Sequence, residues 1–188
     1  MCLAVLSRWV KSAIPFLVAA GIVGLDQGSK LWISENIGYR ESLVVLPVLD
    51  GWLNITQTHN SGAALGILPQ ANLLFIAIAI AVVIVIVFYY RYIPADGLLV
   101  RISLGLQLGG ALGNLVDRLR FGYVIDFIDV GFTHAWRLTT FNVADFSIVS
   151  GVIILAYYLL FSGARRSDSV VCQPRGAEDG TGGSPVHE

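Results

Sequence analysis

Two aspartates, Asp126 and Asp145, stand on either side of a short polar loop in a chain that is otherwise largely hydrocarbon. Asp126 sits in Phe121-Gly122-Tyr123-Val124-Ile125-Asp126-Phe127-Ile128-Asp129. Asp145 sits in Phe141-Asn142-Val143-Ala144-Asp145, at the head of an apolar stretch of membrane-spanning length. An ionisable group at a bilayer boundary is costly to desolvate, so it is read first as a functional site. Two carboxyls able to converge would share one proton and could activate a water molecule. No basic residue lies within a turn of Asp145, and Asp126 is flanked by Ile125 and Phe127; Arg118 is the candidate cation for either.

Other hydrolytic arrangements are missing from the sequence. No cysteine, and no serine beside a histidine, is placed as an activated nucleophile. His59, His134 and His187 show no ligand spacing, so neither a metal site nor a cofactor is expected. Cys2 and Cys172 lie near opposite ends and suggest no disulfide framework. A formal net charge of −1 gives no electrostatic footprint for nucleic acid.

The elements that must carry these groups are membrane helices. Hydrophobic residues make up 55% of the 188 and charged residues 13%, with a mean hydropathy of +0.72. A soluble domain carries about 25% charged residues, so lipid is the main solvent. A helical span needs about 20 apolar residues. Four segments qualify, at residues 12–33, 71–90, 98–119 and 141–161. The expected fold is an all-α membrane protein with four transmembrane helices over 12–162 and a small extracytoplasmic β-sheet or cradle. Its outer loops fall at about 34–70 and 120–140. In the first, residues 43–49 and 52–58 flank Asp50-Gly51, a turn pair that favours a hairpin. In the second, residues 124–130 form a similar strand-like run. The N-terminal segment 1–11 precedes the first span, and the polar stretch 163–188, with nothing to bury, is expected to be a disordered tail.

Lysine and arginine in the flanks set the orientation. Arg8, Lys11, Arg91, Arg101, Arg165 and Arg166 fall on one side if the helices alternate, against Arg40, Arg118, Arg120 and Arg137 on the other. Both termini are therefore expected in the cytoplasm. Arg8 and Lys11 before an apolar run imitate a secretory signal, but no small-residue cleavage site precedes Asp26, so the first span is expected to stay.

Helical spacing gathers the remaining polar residues. Asp26, Ser29 and Lys30 stand at i, i+3 and i+4 and project together. Gln107, Gly110, Asn114 and Arg118 form one stripe, and Gly109, Gly110 and Gly113 beside it allow close helix approach. Asn142 and Asp145 lie one turn apart. All three patches occupy the outer ends of their helices, which implies one polar site. Plainer roles compete for each residue. Asp26–Lys30 could be a structural ion pair, Gln107 and Asn114 cross-helix hydrogen-bond partners, and Asp117–Arg118 an interfacial pair. Asp129 is expected as a solvated loop charge, and Asn142 could be only an N-cap.

Five blocks resemble, in order, those of the signal peptidase II (lipoprotein signal peptidase) family, aspartic peptidase family A8. They are Asp26-Gln27-Gly28-Ser29-Lys30, Asn60-Ser61-Gly62-Ala63-Ala64-Leu65-Gly66, Gly109-Gly110-Ala111-Leu112-Gly113-Asn114-Leu115-Val116-Asp117-Arg118, Val124-Ile125-Asp126-Phe127 and Phe141-Asn142-Val143-Ala144-Asp145. The resemblance implies an intramembrane aspartic endopeptidase of the bacterial cytoplasmic (inner) membrane. Its substrates would be diacylglyceryl-modified prolipoproteins in the phospholipid bilayer, cut just before the lipidated cysteine. Asp126 and Asp145 would be the catalytic pair. Asp26, Lys30, Asn60, Gly62, Asn114, Arg118 and Asn142 would bind substrate or stabilise the site. Inhibition by globomycin is also implied, and the protein is expected to be a monomer. Leu65 stands where an aromatic residue is common and Phe146 where a smaller one is frequent; neither is a reacting group.

Two other functions use intramembrane carboxylates. A proton-coupled transporter would need polar groups crossing the membrane, and it often carries internal repeats that this chain lacks. A lipid-binding assembly subunit would have no use for apposed aspartates.

Overall fold

The computed structural model describes residues 2–44, 52–62, 71–92, 97–131 and 137–168. Helix α1 covers Cys2–Asn36 and leads to strands β1 (Ser42–Leu43) and β2 (Leu53–Asn60). Helices α2 (Asn72–Tyr89) and α3 (Leu98–Phe121) follow, then β3 (Val124–Gly131), β4 (Arg137–Phe141) and α4 (Val143–Asp168). Each helix holds a segment long and apolar enough to cross a membrane: Ser12–Asn36, Asn72–Tyr89, Leu98–Phe121 and Val143–Phe161. The four expected spans are therefore present. Helix α1 starts ahead of its apolar segment, and α4 continues past Gly163; residues 169–188 lie outside the described part.

Helix α3 is the spine of the bundle. It packs against each of the other three helices, and more than half of its span is buried. Lipid tails are as apolar as leucine, so helices associate through packing and polar contacts rather than hydrophobic expulsion. Small residues let α3 come close. A β-carbon on Gly109 would lie 2.9 Å from the Ala19 carbonyl oxygen of α1, and one on Gly110 would collide with the Ala144 carbonyl of α4. Helix α2, of mean hydropathy 3.0, leans on α3 with only Ile86 fully covered. Its uncovered residues, such as Leu73, present hydrocarbon outward.

The strands form one antiparallel sheet in the order β1-β2-β3-β4. The two polar loops, separated in sequence by α2 and α3, are thus joined through the β2–β3 pairing. The expected runs 52–58 and 124–130 match β2 and β3; of the run 43–49 only Leu43 falls in a strand, β1, and residues 45–51, with Asp50-Gly51, lie outside the described residues. Strand β4 differs from expectation: Phe141, apolar enough to belong to the last span, ends β4 instead and leaves α4 to start at Val143. Phe127 of β3 packs with Ile33 and Ile37 of α1, with Ile55, Ile128 and Val143 around them. Burying each such side chain contributes about 1.5–3 kcal/mol. This cluster clamps the sheet onto one end of the bundle.

Asp129 departs from expectation. It is buried within β3, not solvated in a loop, and accepts a hydrogen bond from Thr56 Oγ1 at 3.3 Å. The strand alternation that turns Phe127 inward also turns Asp129 toward β2.

Candidate active site

Two turns of backbone deliver the aspartates. Gly122, at φ 82°, ends α3 in the left-handed conformation that glycine adopts without strain, and its N–H returns to the Arg118 carbonyl at 3.1 Å. The chain then enters β3, an inner strand of the sheet, which carries Asp126 opposite Thr58 of β2. On the other side Asn142 caps α4. The Asp145 N–H donates to Asn142 Oδ1 at 3.0 Å, and the Asn142 N–H donates to Asp145 Oδ2 at 3.3 Å. This reciprocal pair has the logic of a capping box, with asparagine and aspartate in the two roles. It fixes Asp145 in the first turn, where the helix dipole favours negative charge by about 0.3–1 kcal/mol.

Asn142 also ties the two acids together. Its Nδ2 donates to Asp126 Oδ1 at 2.6 Å. The other oxygen of Asp126 accepts Asn60 Nδ2 at 2.9 Å, and Asn60 Oδ1 in turn accepts the Gly62 N–H at 3.0 Å. Asn60 reaches Asp126 because Thr58, two residues before it, pairs directly with Asp126 across the strands. Asp145 Oδ1 accepts Asn114 Nδ2 at 2.7 Å, while Asn114 Oδ1 accepts Lys30 Nζ at 3.2 Å. Lys30 bridges Asp26 and Asp117, at 2.8 Å from each, and Asp26 Oδ1 takes the Ala144 N–H at 3.0 Å. The guanidinium of Arg118 reaches the Asn114 carbonyl at 3.4 Å and lies over the Phe75 ring at 5.2 Å.

Every site residue expected from the sequence therefore joins one cluster at the sheet end of the bundle. The ionisable members gather there instead of lining a path along the helices. Asp126 is fully buried, whereas Asp145 opens onto a groove of about 460 Å³. Asn60, Gly62 and Arg118 give the groove a polar side. Phe141, Phe146 and Val149 give it an apolar one, and the last two are exposed toward the lipid-facing surface. Burial, and the negative charge of Asp145, push the Asp126 carboxyl up to about 7. The amides of Asn60 and Asn142 and the charge of Lys30 pull in the opposite direction.

Three expectations need correction or extension. Asp117 does not pair with its neighbour Arg118; it is buried against Lys30 and accepts Gln27 Nε2 at 2.9 Å. Its cation lies on α1, a partner that spacing along α3 does not reveal. Gln107 does not complete the expected cross-helix bond, since its Nε2 is buried with no partner among the described residues. Asn142 is the N-cap expected of it, and it also contacts Asp126 directly, which spacing along one helix could not reveal. Among the described residues no group of histidine, cysteine and carboxylate side chains could hold a metal ion.

Known proteins resemble this chain in sequence and in fold. Residues 18–161 match the profile of the family described as Signal peptidase (SPase) II. The chain is 48% identical over 148 residues to a lipoprotein signal peptidase of Moorella thermoacetica, covering 78% of this chain and 93% of that one. A lipoprotein signal peptidase of Halothermothrix orenii is 40% identical over 144 residues, covering 77% and 93%. A bacterial membrane enzyme solved by the in meso method at 2.3 Å superposes with a TM-score of 0.67 at 31% identity. That match covers 87% of this chain and 94% of the solved one. With its membrane-spanning helices and its clustered aspartates, the chain belongs to the signal peptidase II family and is a peptidase.

Proposed function

We propose that this peptidase removes signal peptides from diacylglyceryl-modified prolipoproteins, cutting just before the lipidated cysteine, with Asp126 and Asp145 as its catalytic pair. The observation that carries the proposal is the Asn142 bridge, which hydrogen-bonds both carboxyls, with Asp126 buried and Asp145 open to the groove. Asp145, at a helix N-terminus and open to the groove, is the ionised member. Asp126, buried and raised to about 7, keeps the proton. The pair titrates as a unit, so the roles describe the dominant proton arrangement.

In the first step Asp145 takes a proton from water while the water oxygen bonds to the scissile carbonyl carbon. Asp126 gives its proton to the carbonyl oxygen, and a neutral tetrahedral diol results. In the second step Asp145 passes its proton to the leaving nitrogen as the C–N bond breaks. Asp126 recovers a proton from the diol as the new carboxyl forms. The pair ends as it began. A site largely shut off from water strengthens each of these electrostatic contacts.

The groove suits a substrate held by lipid. Each buried methylene contributes about 0.8 kcal/mol, so two acyl chains confine the precursor to the bilayer and deliver it by lateral diffusion. The enzyme acts from the bacterial inner membrane with both termini cytoplasmic and the site near the outer face. It works as a monomer and is blocked by globomycin. The direct test incubates purified protein with a lipid-modified precursor and follows the gel shift. Asp126→Asn and Asp145→Asn should each abolish cleavage while leaving the protein folded. Turnover by either variant removes the paired-acid mechanism.

A further inference from the structure

Asp117, like Asp26, is a fully buried carboxylate of the cluster with no part in the reaction above. Both of its oxygens accept hydrogen bonds. Oδ2 accepts Lys30 Nζ at 2.8 Å and the Ile125 N–H at 3.2 Å, while Oδ1 accepts Gln27 Nε2 at 2.9 Å. These partners lead in two directions, and each ends on one of the paired acids.

The first direction runs through an amide. Asn114 has a carbonyl end and an amino end of nearly equal size, so shape alone does not decide which faces Asp145. Lysine can only donate. With two of its three N–H bonds held by Asp26 and Asp117, Lys30 aims the third at Asn114 Oδ1, at 3.2 Å. Asn114 Nδ2 must then turn to Asp145, at 2.7 Å. The second direction runs through the backbone. Ile125 directly precedes Asp126, and the bond from its N–H to Asp117 pins the start of β3 to the end of α3.

We infer that Asp117 is a positioning residue that aligns both halves of the acid pair, Asp145 through Lys30 and Asn114, and Asp126 through the Ile125 amide. This rests on the paired-acid mechanism proposed above. It assigns Asp117 no contact with substrate. Its loss therefore lowers the rate of the bound complex and leaves binding of the precursor almost unchanged.

The test compares Asp117→Asn, Asn114→Ala and the double variant with the wild-type full chain, using single-turnover cleavage of a lipid-modified precursor. Asp117→Asn should reduce kcat by about 10- to 100-fold, the size expected for losing charge-assisted hydrogen bonds, with KM within about twofold. Combined with Asn114→Ala, it should add less than its own single effect, because both act partly on the same amide. Wild-type kcat in Asp117→Asn, or losses that multiply in full, would overturn the inference. If Asp117→Asn does not insert, Asp117→Glu is judged by the same criteria, since it keeps the charge but shifts the ammonium by a methylene. Asp126→Asn and Asp145→Asn run in parallel. If both are inactive while Asp117→Asn is normal, only the positioning role falls; if either is active, the paired-acid mechanism falls first.

Discussion

Asn142 allows folding and chemistry to be separated by a single substitution. Its Oδ1 caps α4 by accepting the Asp145 N–H at 3.0 Å, while its Nδ2 holds Asp126 at 2.6 Å. Serine is also a preferred N-cap, so Asn142→Ser keeps an oxygen for the first role. It has no group long enough for the second. A hydrogen bond to a charged group contributes about 1.5–3 kcal/mol, and a factor of ten in rate corresponds to about 1.4 kcal/mol. Asn142→Ser should therefore lower kcat by about 10- to 100-fold with little change in melting temperature. Asn142→Ala should lose the same activity and, in addition, about 1 kcal/mol of stability from the missing cap. The sign of the pH effect also follows. The Asn142 amide favours ionised Asp126, whose carboxyl titrates at about 7. Without that amide the carboxyl keeps its proton to higher pH, so the alkaline limb of kcat moves upward. Cleavage of a lipid-modified peptide across pH, together with thermal melting, measures all three effects. Wild-type kcat in Asn142→Ser, or an alkaline limb that moves down, would refute the reasoning.

Other perturbations have equally definite outcomes. Lys30→Met strands the buried carboxylates of Asp26 and Asp117, which should cost about 3–5 kcal/mol of stability; a chemical-denaturation midpoint unchanged from wild type would contradict this. Gly113→Ala places a methyl carbon 2.6 Å from Asp26 Oδ2, and such overpacking typically costs about 1–3 kcal/mol, visible as a lower melting temperature with reduced activity. Asp126 is raised from 3.8 to about 7 in the folded protein, so the folded state holds a proton that the unfolded state releases. Its contribution to stability is lost as pH rises through that window. The melting temperature of Asp126→Asn relative to wild type should therefore climb between about pH 4 and pH 7, and a flat difference would exclude burial as the cause. Precursors without the diacylglyceryl group should be cut far more slowly; equal rates would sink the lipid-delivery argument.

The sequence carried the spans and most of the site because both depend on local pattern. Twenty-residue apolar runs need no tertiary context, and the i, i+3 and i+4 spacing of Asp26, Ser29 and Lys30 is a property of one helix. What it could not carry was set by pairing between distant segments. The β2–β3 register places Asn60 diagonally from Asp126, and nothing in either strand alone specifies that register. Strand β4 was hidden because Phe141 reads as apolar whether it sits in a sheet or in lipid. The pairing of Asp117 is equally illegible in sequence, since its partner Lys30 lies on a different helix.

The Asp26–Lys30 bridge, with its oppositely charged ends four residues apart on α1, bears on how the chain is made. During synthesis α1 reaches the bilayer well before α3 exists to offer Asp117 or Asn114. A lone ammonium or carboxylate in that segment would resist partitioning, but the two arrive already neutralised by each other. The helix can thus settle in hydrocarbon early and wait, preassembled, for the later segments to dock.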